Sequence, residues 1–140
     1  MRRPLSWWLQ VARSLPLSSV SGEYTPMSPP GGQWNKNISS EEIGGEFVPG
    51  SVIHCGVRGG DARFPAVIEL VKPQQLTVWS GANAGSHGIH GFMFTPQGDR
   101  TAMTTAESWL AGTGPHAVAP LQDFLKSWLR HMKAAAEKAL

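Results

Sequence analysis

Two ionisable residues in one stretch of the chain could do chemistry together. Residues 88–114 have the sequence GIHGFMFTPQGDRTAMTTAESWLAGTG, whose alternation of apolar and polar positions indicates two strands joined by a turn. Successive side chains of a strand point to opposite faces, so His90 and Glu107 share one face with Thr105. Imidazole and carboxyl groups held together could pass a proton to a bound molecule or orient its polar end. The same face also carries Phe92, Phe94, Thr101, Met103 and Trp109.

The turn between these strands decides which residues stand opposite each other. A turn centred on Gln97 and Gly98 pairs His90 with Thr105 and makes Glu107 a diagonal neighbour of His90. Diagonal side chains lie about 7–8 Å apart at the backbone, within reach of a long side chain or a bridging water. The apolar residues on this face predict that it turns inward, where its polar groups need partners, water or a ligand.

Three interpretations of the polar group formed by His90, Thr105 and Glu107 remain open. It could be a satisfied polar patch that maintains strand register and does no chemistry. It could orient the polar end of a hydrophobic ligand, as sparse polar groups do in apolar pockets. It could also catalyse acid–base chemistry, with Glu107 raising the basicity of His90, since aldol-type cyclisation and dehydration need no more than that.

Neither a metal site nor a nucleophilic cysteine is predicted. His87 and His90 stand three residues apart, so on a strand they point to opposite faces and cannot share an ion. No cluster of Cys and His has the spacing of a zinc site. The single cysteine, Cys55, alternates with Ile53 and Val57 and is interpreted as a small core residue. We expect no metal and no cofactor.

Short strands separated by turns precede the hairpin. Strand candidates span 42–47, 51–58, 62–71 and 76–81, and Gly, Ala and Ser at 81–88 indicate a loop. No segment between them is long enough for a crossover helix, so the sheet is predicted to be antiparallel. One face of the third candidate carries Phe64, Ala66, Ile68 and Leu70.

A long amphipathic helix is predicted at residues 115–138. Apolar residues recur there at intervals of three and four, the period of one helix face, and Pro115 suits a first helical position. A helix of this kind buries its apolar stripe against a sheet. The predicted fold is therefore α+β, a curved antiparallel sheet wrapped around one long C-terminal helix. The stripe comprises Val118, Leu121, Leu125, Trp128, Met132 and Ala135.

Length and composition restrict the classes of protein and partner. The 140 residues suit one domain, and a single cysteine cannot form an internal disulfide. With a net charge of +2 and no basic run longer than Arg2 and Arg3, a nucleic-acid partner is not expected. No apolar stretch approaches the roughly 20 residues that a membrane-spanning helix needs. We predict a cytoplasmic protein that is a monomer or a homodimer.

The N-terminal residues have an ambiguous pattern. The segment MRRPLSWWLQVARSL places two arginines before apolar residues, as a secretory signal does, but Gln10 and Arg13 interrupt it and no cleavage site follows. A short helix or a poorly ordered arm is the simpler interpretation. Ser, Pro and Gly at 14–32 then indicate an irregular connection.

Five stretches in order carry a resemblance to a known superfamily. They are QWNKNISS (33–40), PGS (49–51), IELVKPQQLTVWSG (68–81), IHGFMF and GDRTAMTTAESWLAG within 89–112, and LQDFLKSWLRHMKAAAE (121–137). Over these residues the sequence resembles the START-like SRPBCC superfamily, the helix-grip fold, and within it the polyketide cyclase/dehydrase-like branch. The resemblance implies about seven antiparallel strands gripping the C-terminal helix, two small helices at one end, and an apolar cavity between sheet and helix.

The resemblance also implies a function and a set of site residues. It favours binding of a hydrophobic small molecule that is lipid-like, polyketide-like or aromatic. The first alternative is a cyclase/dehydrase-type enzyme that uses His90 and Glu107, and the second is an interaction module like the activators of chaperone ATPases. Candidate ligand-binding residues are Trp34, Ile53, Cys55, Ile68, Trp79, Phe92, Phe94, Met103, Thr105, Trp109, Leu121, Leu125 and Trp128.

The beginning of the chain departs from the pattern of the superfamily. Its members start with a strand and an amphipathic helix before the segment matched here by Trp34 and Asn35, and PLSSVSGEYTPMSPPGG lacks both patterns. We therefore predict a divergent or poorly ordered segment at 1–31 and a ligand-binding domain at 32–140. A missing strand would leave one edge of the sheet uncovered.

Overall fold

Seven strands form one antiparallel sheet in the computed structural model, which describes residues 6–16, 35–59, 63–83, 86–98, 100–110 and 118–138. Strands adjacent in the chain are adjacent in the sheet from β2 to β7, and the first strand pairs with the last, giving the order β1-β7-β6-β5-β4-β3-β2. Short connections of this kind require antiparallel pairing. The strands are Ser6–Pro16 (β1), Ile38–Ile43 (β2), Val52–Val57 (β3), Arg63–Lys72 (β4), Leu76–Asn83 (β5), Ser86–Gln97 (β6) and Arg100–Leu110 (β7).

The C-terminal helix, Val118–Lys138 (α1), packs its apolar stripe against the sheet. Leu125, Trp128, Leu129 and Met132 are buried, and the helix lies close to β1 and β7. Burial of one apolar face is what stabilises an amphipathic helix in a folded protein. The sheet and the helix together form the helix-grip arrangement, so the fold prediction is confirmed.

The structure describes the helix from Val118 onward, so the predicted start at residue 115 stays a prediction. Pro115, the predicted first helical residue, lies outside the described residues. Pro120 lies in the first turn of α1, where a missing backbone N–H breaks no helical hydrogen bond. No helix among the described residues is long and apolar enough to cross a membrane.

Strand β2 overlaps the predicted strand at 42–47 only at Glu42 and Ile43, so that prediction is wrong at both ends. The backbone N–H of Asn37 donates to Asn35 Oδ1 at 3.1 Å, forming a local turn of the kind that Asn side chains favour. Asn37 Nδ2 also donates to Ser127 Oγ on α1 at 2.8 Å. These bonds place Ile38, the first residue of β2, in the core. They involve residues outside 42–47, so the strand propensity of that segment could not predict where β2 begins.

Gly81 and Gly88 face each other in the ladder between β5 and β6, where the sequence predicted a loop. Strand β5 continues to Asn83, and β6 starts at Ser86. A Cβ atom at Gly81 would lie 2.7 Å from the carbonyl oxygen of Pro65 on the neighbouring strand. Glycine therefore permits a close approach inside the sheet at this position, so its presence does not mark a loop.

Strand β1 contradicts the expectation of a helix or arm near the N-terminus. Its backbone pairs with β7 from Ser6 opposite Leu110 to Pro16 opposite Arg100. Leu9, Val11 and Leu15 share one face of this strand, but Arg13 falls among them, so the strand alternation is incomplete and does not identify the strand from sequence. The strand that the resemblance calls for is thus present. The predicted domain boundary, between residues 31 and 32, lies within residues 17–34, which are outside the described residues. The two predicted small helices also fall on or beside that range.

The register of the β6–β7 hairpin also differs from the prediction. Gln97 pairs with Arg100, so the turn consists of two residues and Gly98 is the first of them. Gly98 has a φ of 64°, the left-handed conformation that two-residue hairpin turns require and that glycine adopts readily. Each residue of β6 therefore pairs two positions further along β7 than predicted, and His90 stands directly opposite Glu107. Because a shift of two preserves the alternation of faces, the residues assigned to the inward face remain together.

Candidate functional site

A cavity of about 590 Å³ lies between the sheet and α1. Small-molecule sites in proteins usually measure roughly 300–1,000 Å³, so this volume suits a ligand of several rings or a comparable chain. Arg58, Gly59 and Ala82 are exposed and form part of its rim. The described lining residues are Ile38, Cys55, Val57, Arg58, Gly59, Phe64, Pro65, Ala66, Trp79, Gly81, Ala82, Gly88, His90, Glu107, Trp109, Leu121, Phe124 and Trp128.

The cavity occupies only one half of the inward face of the β6–β7 hairpin. Near the turn, Phe92 and Met103 are fully buried in a cluster with Leu129 and Met132 of α1. Away from the turn, Gly88, His90, Glu107 and Trp109 line the cavity, and the ring of Trp109 packs directly on Gly88. Helix side chains thus fill one half of the face and leave the other half open.

The structure divides the predicted site residues into two groups. Of the two candidate catalytic residues and the candidate ligand-binding residues, those that line the cavity are Cys55, Trp79, His90, Glu107, Trp109, Leu121 and Trp128. Those that do not line it and are buried in the surrounding core are Ile53, Ile68, Phe92, Phe94, Met103, Thr105 and Leu125. Trp34 lies outside the described residues. A role in ligand contact stays a prediction for all of them.

Several lining residues were not among the sequence candidates. Phe64 and Ala66 alternate with exposed residues on β4, and this alternation had already placed them on one face with Ile68. Gly81 and Gly88 were interpreted as loop residues. Their signal is a pair of glycines on two adjacent strands, which lets a neighbouring group approach the sheet closely: the carbonyl of Pro65 at Gly81 and the ring of Trp109 at Gly88.

His90 is held in the wall of the cavity by a chain of hydrogen bonds. Its Nε2 atom lies 2.7 Å from Thr105 Oγ1, and that hydroxyl donates to the carbonyl oxygen of Gly91 at 3.1 Å. Thr105 is fully buried, and His90 keeps 7% of its surface exposed. The imidazole is therefore oriented from behind by β7 and β6, with its remaining surface facing the cavity that it lines.

Aromatic rings surround the imidazole of His90. The ring centroids of Phe92, Trp79 and Trp128 lie 4.6, 5.0 and 5.5 Å from that of His90. Because these rings replace water around the imidazole, burial lowers the pKa of His90 from 6.5 to about 3. His90 is thus a neutral imidazole at physiological pH.

Glu107 is the carboxyl group opposite His90 in the cavity wall. Trp109 Nε1 donates to Glu107 Oε1 at 2.8 Å, and 9% of Glu107 is exposed. Burial raises the pKa of Glu107 from 4.5 to about 7, and the hydrogen bond from Trp109, which favours the carboxylate, opposes this shift. Glu107 is therefore protonated in a large fraction of molecules at neutral pH.

The two groups do not form a direct hydrogen bond or an effective ion pair. Glu107 Oε2 lies 3.9 Å from His90 Nδ1, beyond hydrogen-bond distance. Burial disfavours the charged form of both side chains, so an ion pair between them would carry two desolvation costs at a poor distance. The pair is instead a neutral base and a neutral acid beside one space.

Few other ionisable groups line the cavity. Arg58, at the rim, is the only cation among the described lining residues, and its Nε atom donates to the carbonyl oxygen of Lys36 at 2.6 Å. Cys55 is half-buried in the wall. His87 is exposed on the face of β6 opposite to His90. Within the part of the chain that the structure describes, no group of three His, Cys, Asp or Glu residues could hold a metal ion.

Solved structures share this architecture at low sequence identity. A point mutant of norcoclaurine synthase from Thalictrum flavum superposes with a TM-score of 0.71 at 14% identity, over 99% of this chain and 99% of that chain. Major latex-like protein 151 from Panax ginseng gives 0.75 at 15% identity, over 94% and 98%. DynU16, a protein of the dynemicin biosynthetic locus, gives 0.73 at 18% identity, over 94% of this chain and 48% of that chain.

These similarities establish the fold. The chain has the helix-grip fold of the START-like and Bet v 1-like structures, as its sequence resemblance implied. No family model matches the sequence. No curated protein matches it either.

Proposed function

We propose that this protein binds a hydrophobic small molecule, lipid-like, polyketide-like or aromatic, in the cavity between the sheet and α1. The observation that carries the proposal is the cavity itself, with about 590 Å³ of space and walls formed largely by aromatic and aliphatic side chains. Trp79, Trp109 and Trp128 offer large flat surfaces to rings. Sparse polar groups in such a pocket orient the ligand, and His90 and Glu107 have that position here.

The solved structures with this fold give the proposal independent support. One structure of norcoclaurine synthase contains dopamine and hydroxybenzaldehyde. DynU16 comes from a biosynthetic locus. These ligands and this biosynthetic setting belong to other proteins, and for this chain they favour a small ring compound over a macromolecular partner.

The binding test compares two substitutions on one strand. Ala66 on β4 lines the cavity, whereas its neighbour Val67 points away from it and is 37% exposed. The Ala66→Phe substitution fills the space, so it should abolish binding of the apolar dye N-phenyl-1-naphthylamine, measured by dye fluorescence. Val67→Phe adds the same ring on the outer face and should keep wild-type affinity.

Unfolding curves of both variants show whether they are folded. Should Ala66→Phe fail to fold, Leu121→Trp narrows the same cavity from α1 and replaces it in the comparison. Equal dye binding by the wild type and a folded cavity-filling variant would refute the proposal. Native mass spectrometry of the purified full chain then identifies any ligand that remains bound.

Acid–base catalysis is the second candidate function. The observation that favours it is a neutral imidazole 3.9 Å from a carboxyl group whose pKa is about 7, both facing an apolar cavity. A group with a pKa near the working pH is the most effective proton donor or acceptor, and this describes Glu107. His90, with a pKa of about 3, is a weak base and lacks the raised basicity that the sequence interpretation assigned to it, so Glu107 would carry the proton transfers of a cyclisation or dehydration.

The variants His90→Gln and Glu107→Gln distinguish a catalytic function from a binding function. Loss of turnover of a poly-β-ketone substrate with retained affinity would establish catalysis. A fall in affinity without any measurable wild-type turnover would leave binding as the function. Wild-type affinity and stability in both variants would leave only a structural role for the pair.

A further inference from the structure

We propose that the polar end of the bound molecule is a neutral hydroxyl group, which donates a hydrogen bond to His90 Nδ1 and accepts one from Glu107 Oε2. The inference rests on the proposed binding function and names its ligand class, an apolar compound that carries an alcohol or phenol group. It follows from the hydrogen-bonding capacity of each atom around the two side chains.

The contacts of Thr105 determine which nitrogen of His90 carries the proton. A hydroxyl has one hydrogen, and the carbonyl oxygen of Gly91, 3.1 Å away, can only accept. The hydrogen of Thr105 therefore points at Gly91, and a lone pair of Thr105 Oγ1 faces His90 Nε2 at 2.7 Å. Both contacts are satisfied together only when Nε2 carries the proton. Nδ1 is then an acceptor on the side of Glu107.

The contacts of Glu107 leave one oxygen for the ligand. Oε1 accepts the indole N–H of Trp109 at 2.8 Å, and Oε2 is the atom nearest to His90 Nδ1. A protonated carboxyl group donates one hydrogen bond. Because Oε1 already accepts from Trp109, we place the proton on Oε2, from which it can be donated to the ligand. The raised pKa of Glu107 supports the protonated form at neutral and lower pH.

The separation of the two atoms suits one bridging oxygen. At 3.9 Å they are too far apart for a direct hydrogen bond. An oxygen about 2.8 Å from each of them would meet both at roughly a right angle, which a hydroxyl or a water accommodates. A ligand hydroxyl that displaces such a water keeps both of its hydrogen bonds.

Other polar groups match the two atoms less well. A carbonyl oxygen accepts from Glu107 but leaves Nδ1 without a donor. An ammonium group donates to Nδ1 but cannot accept from Glu107. A carboxylate would place a charge against the lone pair of Nδ1 among aromatic rings, where an unpaired ion is costly. Of these four groups, only a hydroxyl both donates and accepts through one atom.

The first experiment determines the tautomer of His90 in the full chain without ligand. Nitrogen-15 NMR of the histidine rings, with the His90 signals assigned by their loss in His90→Phe, should show an unprotonated Nδ1 and a protonated Nε2 at pH 6 to 8. A proton on Nδ1, in either the other neutral tautomer or the imidazolium, would overturn the inference.

The second experiment compares three ligands with the same ring system. Naphthalene, 2-naphthol and 2-naphthoate are titrated at pH 6 against the full chain, with the indole N–H signals of the tryptophans followed by NMR. Net hydrogen-bond contributions predict that 2-naphthol binds about five- to tenfold more tightly than naphthalene. The anion 2-naphthoate should bind most weakly.

Variants test whether the preference for 2-naphthol over naphthalene depends on His90 and Glu107. His90→Phe removes Nδ1, so the ratio of the 2-naphthol and naphthalene affinities should fall to about one, whereas the exposed control His87→Phe should keep the wild-type ratio. If His90→Phe does not fold, Thr105→Val removes the hydroxyl that selects the tautomer and should lower the ratio as well.

The outcomes distinguish this inference from the proposed function. Equal affinity of the wild type for naphthalene and 2-naphthol refutes the hydroxyl preference and leaves hydrophobic binding intact. Absence of binding by all three compounds refutes binding of ring compounds and the hydroxyl preference together.

Discussion

At the scale of single residues, burial moves the protonation of His90 and Glu107 in opposite directions. The folded chain disfavours the imidazolium of His90 and the carboxylate of Glu107, because aromatic and aliphatic side chains replace water around both. Each pKa shift makes the free energy of unfolding depend on pH, and the two dependences have opposite signs. A histidine and a glutamate on an otherwise apolar face are therefore compatible with a stable sheet, provided that both are neutral.

The linkage predicts how stability depends on pH when one partner is removed. Between pH 4.5 and 7 the folded chain retains the proton of Glu107 that the unfolded chain loses, so stability falls as pH rises. Between pH 3 and 6.5 the unfolded chain binds a proton at His90 that the folded chain does not, so stability rises with pH. From pH 4.5 to 6.5 the two contributions cancel in the wild type.

Single variants should reveal each slope. Relative to the wild type, the unfolding free energy of His90→Phe should fall by about 2 kcal/mol between pH 5.0 and 6.5, and that of Glu107→Gln should rise by a similar amount. Urea unfolding curves at both pH values measure the differences. Curves that follow the wild-type pH dependence in both variants would contradict the assigned pKa directions.

At the scale of elements, the β6–β7 hairpin positions the site through Gly88 as well as through its polar residues. A Cβ atom at Gly88 would lie 2.9 Å from the indole ring of Trp109 on the paired strand, closer than packing permits. At Gly91, on the other face of β6, a Cβ atom would find its nearest neighbour, Val78, at an ordinary 3.8 Å. Gly88 thus allows Trp109 to lie flat and to donate to Glu107.

The two glycines form a matched pair of substitutions. Gly88→Ala should destabilise the protein by about 1–3 kcal/mol, because the rigid indole must move away from the added methyl group. Displacement of Trp109 removes its hydrogen bond to Glu107, so the pKa of Glu107 should rise further. Urea unfolding and NMR titration of Glu107 measure the two effects.

Gly91→Ala is the control for a general cost of adding a methyl group to β6. Its stability should stay within about 0.5 kcal/mol of the wild type, as for most substitutions that meet no close neighbour. Equal destabilisation by both substitutions would mean that contact with Trp109 is not what requires glycine at position 88.

At the scale of the whole molecule, β1 joins the beginning of the chain to its end. It pairs with β7 along its full length, and α1 lies close to it. Without β1, the strand that carries Glu107 would become an edge of the sheet with unpaired backbone groups. The integrity of the site therefore depends on a segment far from it in sequence.

Removal of residues 1–16 tests this dependence. The shortened chain should unfold at a lower urea concentration and form aggregates detectable by light scattering, because the exposed β7 can pair with other chains. Removal of residues 1–5 alone is the control, and the difference between the unfolding midpoints of the two shortened chains measures the contribution of β1. An unchanged midpoint after removal of all sixteen residues would show that β1 contributes nothing to stability.

Patterns in the sequence were enough to predict the fold class, the inward face of the hairpin and the amphipathic helix. Strand and helix periods are local properties of the backbone, so alternation was enough to place His90, Thr105 and Glu107 on one face. In β1 the alternation is incomplete, because Arg13 lies on the face of Leu9, Val11 and Leu15, and only the pairing with β7 identifies this segment as a strand.

Long-range contacts in the folded chain bring these residues together as a site. The conformation of Gly98 shifted the register by two positions and put Glu107 opposite His90. Side chains of α1 filled the half of the face near the turn and left the other half open, so Phe92 is core while Trp109 lines the cavity. Burial then set both pKa values. Each of these outcomes depends on which distant residues come into contact, and that information is absent from any short stretch of sequence.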